Sequence, residues 1–238
     1  MADAALAIKN NVQEVMGLME EAARRSGRKP SDVCLMAAVK TRAVDEIEAV
    51  IEAGVSFIGE NRVKEGEEHL AALTPAARSR CKAHFIGRLQ SNKARRALLA
   101  FDSLDSVDSQ ELARRLSRIA GEEGVAKEVM IEVNCGEEQK GGVGERDARS
   151  LAEIIFSLPN LTLSGLMAVP PIEENPNKTR PIFRLLKGLF DSIRGSHPKP
   201  EAFRFLSMGM SNDYVVAIEE GATLVRVGTA LFGARRLT

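Results

Sequence analysis

Residues 33–59 read V-C-L-M-A-A-V-K-T-R-A-V-D-E-I-E-A-V-I-E-A-G-V-S-F-I-G, and this stretch decides the fold. Its opening run, 33–39, is wholly apolar, as expected of a strand buried on both faces. A helix-like stretch follows and closes at Gly54, a good C-terminal signal. A second apolar run then begins at 55. Strand, helix and strand in succession form the unit that joins parallel strands. The same pattern recurs along the chain. Apolar runs fall at 33–39, 55–59, 84–87, 101–107, 128–133, 163–169, 203–208 and 223–227, each ending in a polar or glycine-rich corner. Eight such units point to an α/β chain closed into a (β/α)₈ barrel of the TIM type. In that fold the strand ends face one common mouth, where the chemistry sits.

The intervening stretches fit this reading. Residues 2–25 are expected to form an extra N-terminal amphipathic helix, with Ile8, Val12, Val15, Met16 and Met19 on one face, capping the bottom of the barrel or packing on its side. Helices are expected over 44–54, from 63 towards 73, from the Q-S-N-K segment at 90–93, over 110–120 with Asp108 or Ser109 as cap, over 145–158, and from about 181 to 193. No linker or low-complexity tract interrupts the pattern, so 1–238 is expected to be one domain.

Composition narrows the functional classes. The chain has 238 residues, slightly short for such a barrel, which leaves little room for long insertions. Lys plus Arg equals Asp plus Glu at 33 each, so no global field favours nucleic acid or an anionic membrane. The basic run at 91–96 lacks interleaved aromatics and reads as a solvated helix face. No apolar stretch is long enough for a bilayer, and the first residues do not form a secretion signal. Cys34, Cys81 and Cys135 are scattered, which suits free thiols in a reducing cytoplasm. His69, His84 and His197 share no metal-ligand spacing, so no metal is expected.

Three features carry chemistry. Lys40 ends the first apolar run. A lysine beside apolar walls at a barrel mouth is partly desolvated, which lowers its pKa and frees an amine to attack an aldehyde. The plain alternative is a lysine snorkelling into solvent. Next come the corners after the seventh and eighth runs, S-M-G-M-S and V-G-T-A-L-F-G, where barrels of this type commonly bind phosphate. Ser207, Gly209, Ser211, Gly228 and Thr229 there permit close backbone approach and offer hydroxyls; ordinary turns would look similar. Third, Arg226 lies inside the apolar run T-L-V-R-V-G. Buried arginine is rare unless paired, and alternation puts Arg226 on the face shared by Leu224 and Gly228. An aldehyde-seeking lysine, a phosphate cradle and an inward arginine together suggest pyridoxal 5′-phosphate (PLP), whose ring nitrogen can meet an arginine. A permanent cation there opposes ring protonation and mutes the ring as an electron sink.

Nearly the whole chain resembles the YggS/PROSC family of PLP homeostasis proteins, which have barrels like the alanine racemase N-terminal domain. The resemblance is carried by A-V-K-T at 38–41, G-E-N-R-V-K-E at 59–65, H-F-I-G-R-L-Q-S-N-K at 84–93, S-V-D at 106–108, V-N at 133–134, G-L-M at 165–167, L-S-M-G-M-S-N-D at 206–213 and V-R-V-G-T-A-L-F-G at 225–233. It implies that Lys40 forms the internal aldimine, that Arg226 meets the pyridine nitrogen, and that Ser211, Gly228 and Thr229 surround the phosphate. It also implies that Asn61, His84 and Asn134 line the pocket, with Met167 packing nearby. From the residues alone, His84 reads equally well as a satisfied core histidine.

The expected function is a monomeric, cytoplasmic protein that buffers or delivers PLP, with PLP-dependent apo-enzymes or free amino acids as candidate recipients and little or no turnover. Two alternatives stand beside it. A racemase would need acid/base groups on both faces of a substrate carbanion, and Tyr214 is the single tyrosine available. The barrel racemases complete their site with a further domain, which this chain, ending just after its eighth run, is not expected to have. A Schiff-base lyase acting on a sugar phosphate would use Lys40 and the cradle but give Arg226 no ring nitrogen to meet.

Overall fold

The structure is a computed structural model and describes residues 2–136 and 141–233. Eight parallel strands close into a barrel in chain order. They are β1 (Cys34–Ala38), β2 (Phe57–Glu60), β3 (Lys82–Phe85), β4 (Ser103–Val107), β5 (Lys127–Val133), β6 (Leu161–Ala168), β7 (Phe205–Ser207) and β8 (Leu224–Val227). β1 closes the ring by pairing with β8, Met36 standing opposite Arg226. The eight-unit pattern of the sequence is thus realised as a (β/α)₈ barrel.

Alternation along each strand divides the core in two. Leu35, Ala37 and Val39 of the first unit, Val129, Ile131 and Val133 of β5, and Val225 and Val227 of β8 join the layer between sheet and helices. Met36, Met130, Met167, Phe205 and Leu224 turn the other way and form a separate apolar plug inside the barrel, with Phe57, Ile86 and Val169 packed against it. Each such fully buried side chain stabilises the fold by roughly 1.5–3 kcal/mol relative to exposure. The plug is a packed floor, and it leaves the mouth above it for polar groups.

The N-terminal helix α1 (Ala2–Arg25) buries Ile8, Val12, Val15 and Met19. It packs against α2 (Val44–Glu52), α9 (Tyr214–Glu219) and α10 (Thr229–Phe232), on the side of the barrel where β8 meets β1. Of the two expected placements, the structure shows the side. Asn11 Nδ2 fastens it there by donating to the Leu231 carbonyl at 2.9 Å.

Strand ends are shorter than the apolar runs suggested. β1 stops at Ala38, so Lys40 stands in a turn beyond the sheet, and β3 runs over 82–85 where 84–87 was expected. Helix α6 (Gln110–Glu122) starts as expected, with Ser109 Oγ accepting the Leu112 N–H. A short helix, α4 (Pro75–Arg80), lay outside the expected pattern; its signal was Thr74-Pro75, the cap and first-turn proline.

Candidate functional site

The mouth is built on three adjacent elements. On β8, Arg226 points into the barrel and is 4% exposed. Its Nη1 donates to the Ser207 carbonyl at 2.8 Å and to Ser207 Oγ at 2.5 Å, and its Nη2 donates to the Ala168 carbonyl at 2.7 Å. The guanidinium is therefore held by β6 and β7 at once, a fork that a lysine could not reproduce. Burial pulls its pKa down from the usual arginine value, while Asp105, Glu132 and Asp213 oppose that shift. These three hydrogen bonds use Nη1 and Nη2 and leave Nε out, a donor that a ligand acceptor could meet.

The corners after β7 and β8 form one cradle. Ser211 Oγ accepts the N–H of Gly228 at 3.2 Å and of Ala230 at 3.3 Å. Two backbone donors converging on one oxygen suit an anion's oxygen equally well. Exposed Thr229 lies between them and adds a hydroxyl. A side chain at Gly228 would meet the Ala38 carbonyl at 3.4 Å, so the cradle packs against the end of β1, two residues before Lys40. Gly209 makes the preceding turn with φ 92°, where a Cβ would strike Ala217 at 2.5 Å; only glycine meets both conditions. Its carbonyl accepts the Arg226 N–H at 3.0 Å, which ties the two corners together.

Lys40 is half-buried at the rim beside this cradle. Asn61 follows β2 in the inward phase of Phe57 and Gly59. Its Oδ1 is buried without a hydrogen-bond partner, an unmet acceptor that a bound donor would satisfy. Asn61 also borders a cavity of about 910 Å³ over the ends of β2–β4, lined by Arg62, Glu65, Arg88 and Asp108 among others. Asn134 directly follows β5, and its amide bridges the next loop: Oδ1 accepts the Gly136 N–H at 2.8 Å, and Nδ2 donates to the Gly141 carbonyl at 3.4 Å. The loop segment 137–140, which includes Lys140, falls outside the described residues. Met167 belongs to the plug beneath the site, opposite Glu132 on one side and Ser207 on the other.

His84 departs from the expectation that it lines the cofactor pocket. It faces inward but lies low in the barrel, edge-on to Phe57 and Phe205, the first residues of their strands. Its Nδ1 donates to Asp105 Oδ2 at 2.8 Å, and Ser103 Oγ donates to the other carboxylate oxygen at 2.6 Å. The cavity it borders, about 430 Å³ with Lys82, Lys127 and Arg204, opens at the N-terminal ends of the strands. The inward position nearer the mouth on that chain segment is taken by Ile86, packed against Met36 and Gly59. Period-two geometry explains the difference: two residues move a side chain about 6.6 Å along its strand.

Sequence reasoning passed over Asp105 and Glu132. Both are inward carboxylates whose charge acts on Arg226. Burial pushes the Glu132 carboxyl up, with Asp108 adding to the shift and Arg226 opposing it. An acid inside an apolar run was the available signal, the same one that singled out Arg226. Tyr214 is buried in the layer between sheet and helices, near enough to α1 that the charge of Glu14 adds to the upward shift caused by burial.

An amine at the rim, an anion cradle beside it and an inward guanidinium below fit an aldehyde that carries a phosphate and a ring acceptor. The chain is similar to known proteins along most of its length. A family model described as alanine racemase, N-terminal domain, matches residues 6–236. The pyridoxal phosphate homeostasis protein of Aquifex aeolicus (strain VF5) is 39% identical over 226 residues, spanning 94% of this chain and 97% of that one. The crystal structure of an unknown protein from Bifidobacterium adolescentis is 38% identical with a TM-score of 0.92, covering 98% of this chain and 97% of that one. PipY of Synechococcus elongatus PCC7942, solved with PLP bound, is 35% identical with a TM-score of 0.77, covering 91% of this chain and 100% of that one.

Proposed function

The chain belongs to the alanine racemase N-terminal-domain family, and within it to the pyridoxal phosphate homeostasis proteins; on that premise we propose that Lys40 carries the cofactor reversibly at the barrel mouth. The protein binds pyridoxal 5′-phosphate and serves its homeostasis. The cofactor supplies an aldehyde, which condenses reversibly with a primary amine and releases water.

The observation that carries the residue assignment is the convergence of the Gly228 and Ala230 amides on Ser211 Oγ, with Gly228 packed against the end of β1. A phosphate held there lies beside the turn that presents Lys40. Ser211, Gly228 and Thr229 hold the phosphate. Arg226, fixed by Ser207 and Ala168, directs Nε at the ring nitrogen and opposes its protonation. Asn61 offers Oδ1 to a polar group on the ring, Asn134 closes the side under the loop after β5, and Met167 supports the floor. His84, low in the barrel against Phe57 and Phe205, is assigned no cofactor contact in this reading.

On this reading the protein buffers or delivers PLP, to apo-enzymes or to free amino acids, with little or no turnover. Racemisation needs proton donors and acceptors on both faces of the substrate. Tyr214, the tyrosine that could serve, is packed between sheet and helices. Three free cysteines support a cytoplasmic setting, and no described helix is long and apolar enough to cross a membrane.

The test is borohydride reduction of the PLP-loaded protein, then peptide mapping, with alanine racemisation assayed in parallel. The expected result is a phosphopyridoxyl mass on the peptide containing Lys40 and no racemisation above background. A label confined to other lysines contradicts the assignment, and rapid racemisation contradicts the non-catalytic role.

A further inference from the structure

We propose that Glu65 is a positioning residue for Lys40, setting the direction of its side chain through the turn that follows β1. The proposal rests on Lys40 being the residue that carries the cofactor.

Residues 39–42 form a tight turn, closed by the Arg42 N–H donating to the Val39 carbonyl at 3.1 Å. Thr41 occupies its third position with φ 60°. Turn chemistry favours glycine or asparagine there, and a β-branched residue in the left-handed region is strained. Strain of this kind persists where the surroundings over-determine it, and it gathers at functional sites.

Two hydrogen bonds hold the strained unit. Thr41 Oγ1 donates to the Lys40 carbonyl at 2.6 Å, and the Thr41 N–H donates to Glu65 Oε1 at 2.5 Å. Both polar groups of the single peptide plane between Lys40 and Thr41 are therefore occupied. Fixing that plane fixes ψ of Lys40, and with it the direction in which the side chain leaves the rim. Glu65 comes from α3 (Val63–Ala72), so the restraint is tertiary. A charged side chain is thus directed at one backbone amide, a charge-assisted contact stronger than a neutral one.

The other side of the turn is held as well. Arg42 donates to the carbonyls of Phe232 at 3.4 Å and Gly233 at 3.0 Å, and its guanidinium lies 5.0 Å over the Phe232 ring. Those residues end the segment that begins in the cradle at Gly228. Arg42 thus sets the distance from the turn to the phosphate, and Glu65 sets the aim of the amine.

The experiment compares wild type, Glu65→Ala, Glu65→Gln, Thr41→Gly and the double variant Glu65→Ala/Thr41→Gly. PLP affinity and release rate are read by absorbance. Exchange of the Thr41 amide is read by NMR on cofactor-free protein, and the thermal midpoint is recorded for each. Glu65→Ala is expected to weaken PLP binding by about tenfold, the loss of one charge-assisted hydrogen bond, to speed release and to deprotect the Thr41 amide, with the thermal midpoint little changed. Glu65→Gln keeps an acceptor oxygen and recovers most of the affinity. Thr41→Gly recovers part of it in the Glu65→Ala background, because glycine adopts φ 60° unaided. Wild-type affinity in Glu65→Ala, or a loss that follows the thermal midpoint and is not recovered by glutamine or glycine, overturns the positioning role alone. A wild type that shows no Lys40-dependent absorbance with added PLP overturns the parent reading, and this one with it.

Discussion

At the scale of single residues, each buried charge in the barrel needs a partner. Arg226 has carbonyls for its fork and Asp105 and Glu132 for its charge. Glu60 is the second instance. It is fully buried on the helix side of β2, where His69 Nδ1 donates to its Oε1 at 2.6 Å and Oε2 has no partner among the described residues. The hydrogen bond to Glu60 is the main cause of a raised His69 pKa, and burial raises that of Glu60. The folded state therefore holds both protons more tightly than the unfolded chain does. The stabilisation is fully present below each group's ordinary value and is lost as the pH rises through the raised one. The urea midpoint of the cofactor-free protein is expected to fall over the pH window that opens at the ordinary histidine value and ends at the raised one, and the fall to be much smaller in His69→Gln. A midpoint that rises over that window contradicts the assignment. At this scale the sequence was informative where one polar residue interrupts an apolar run, as at Arg226. It was silent on Glu60, whose motif neighbours Asn61 and Arg62 look no different in one dimension. It left His84 open between pocket and core, because residue type gives no depth inside a barrel.

At the scale of elements, the strands were legible because parallel strands covered on both faces read as apolar runs. Their ends were not, since apolar residues such as Phe101 continue past the sheet into the outer core. Glycines separate the two influences on helices. A Cβ added at Gly17 in α1 would meet nothing within 4 Å, whereas a Cβ at Gly66 in α3 would lie 2.4 Å from Phe101 Cζ and 3.1 Å from Glu60 Cγ. Helix propensity favours alanine over glycine by about 0.8–1.0 kcal/mol. Gly17→Ala is expected to stabilise by about that amount. At Gly66 the overpacking cost of about 1–3 kcal/mol outweighs the gain, so Gly66→Ala is expected to destabilise by about 1 kcal/mol or more. Denaturant unfolding of the two variants checks this, and a stabilised Gly66→Ala would show that α3 does not pack on β2 as described. The same close packing brings Glu65 within reach of Thr41, a contact across 24 residues that no local pattern announces.

At the scale of the whole molecule, the barrel separates support from chemistry. An apolar plug of Met36, Met130, Met167, Phe205 and Leu224 fills its middle. Above the plug, β1 brings the amine, β6 and β7 hold the guanidinium, and the corners after β7 and β8 form the anion cradle. β1 and β8 are neighbours only because the barrel closes, so the first and last units of the chain share one site. On the proposed reading, Lys40 takes up and releases PLP at that site. The most direct test is an absorbance titration of the purified protein with PLP, for wild type and Lys40→Ala, followed by dialysis. The expected result is a yellow band that saturates in wild type, is absent from Lys40→Ala, and is lost on dialysis. An equal band in both proteins, or none in either, would contradict that reading.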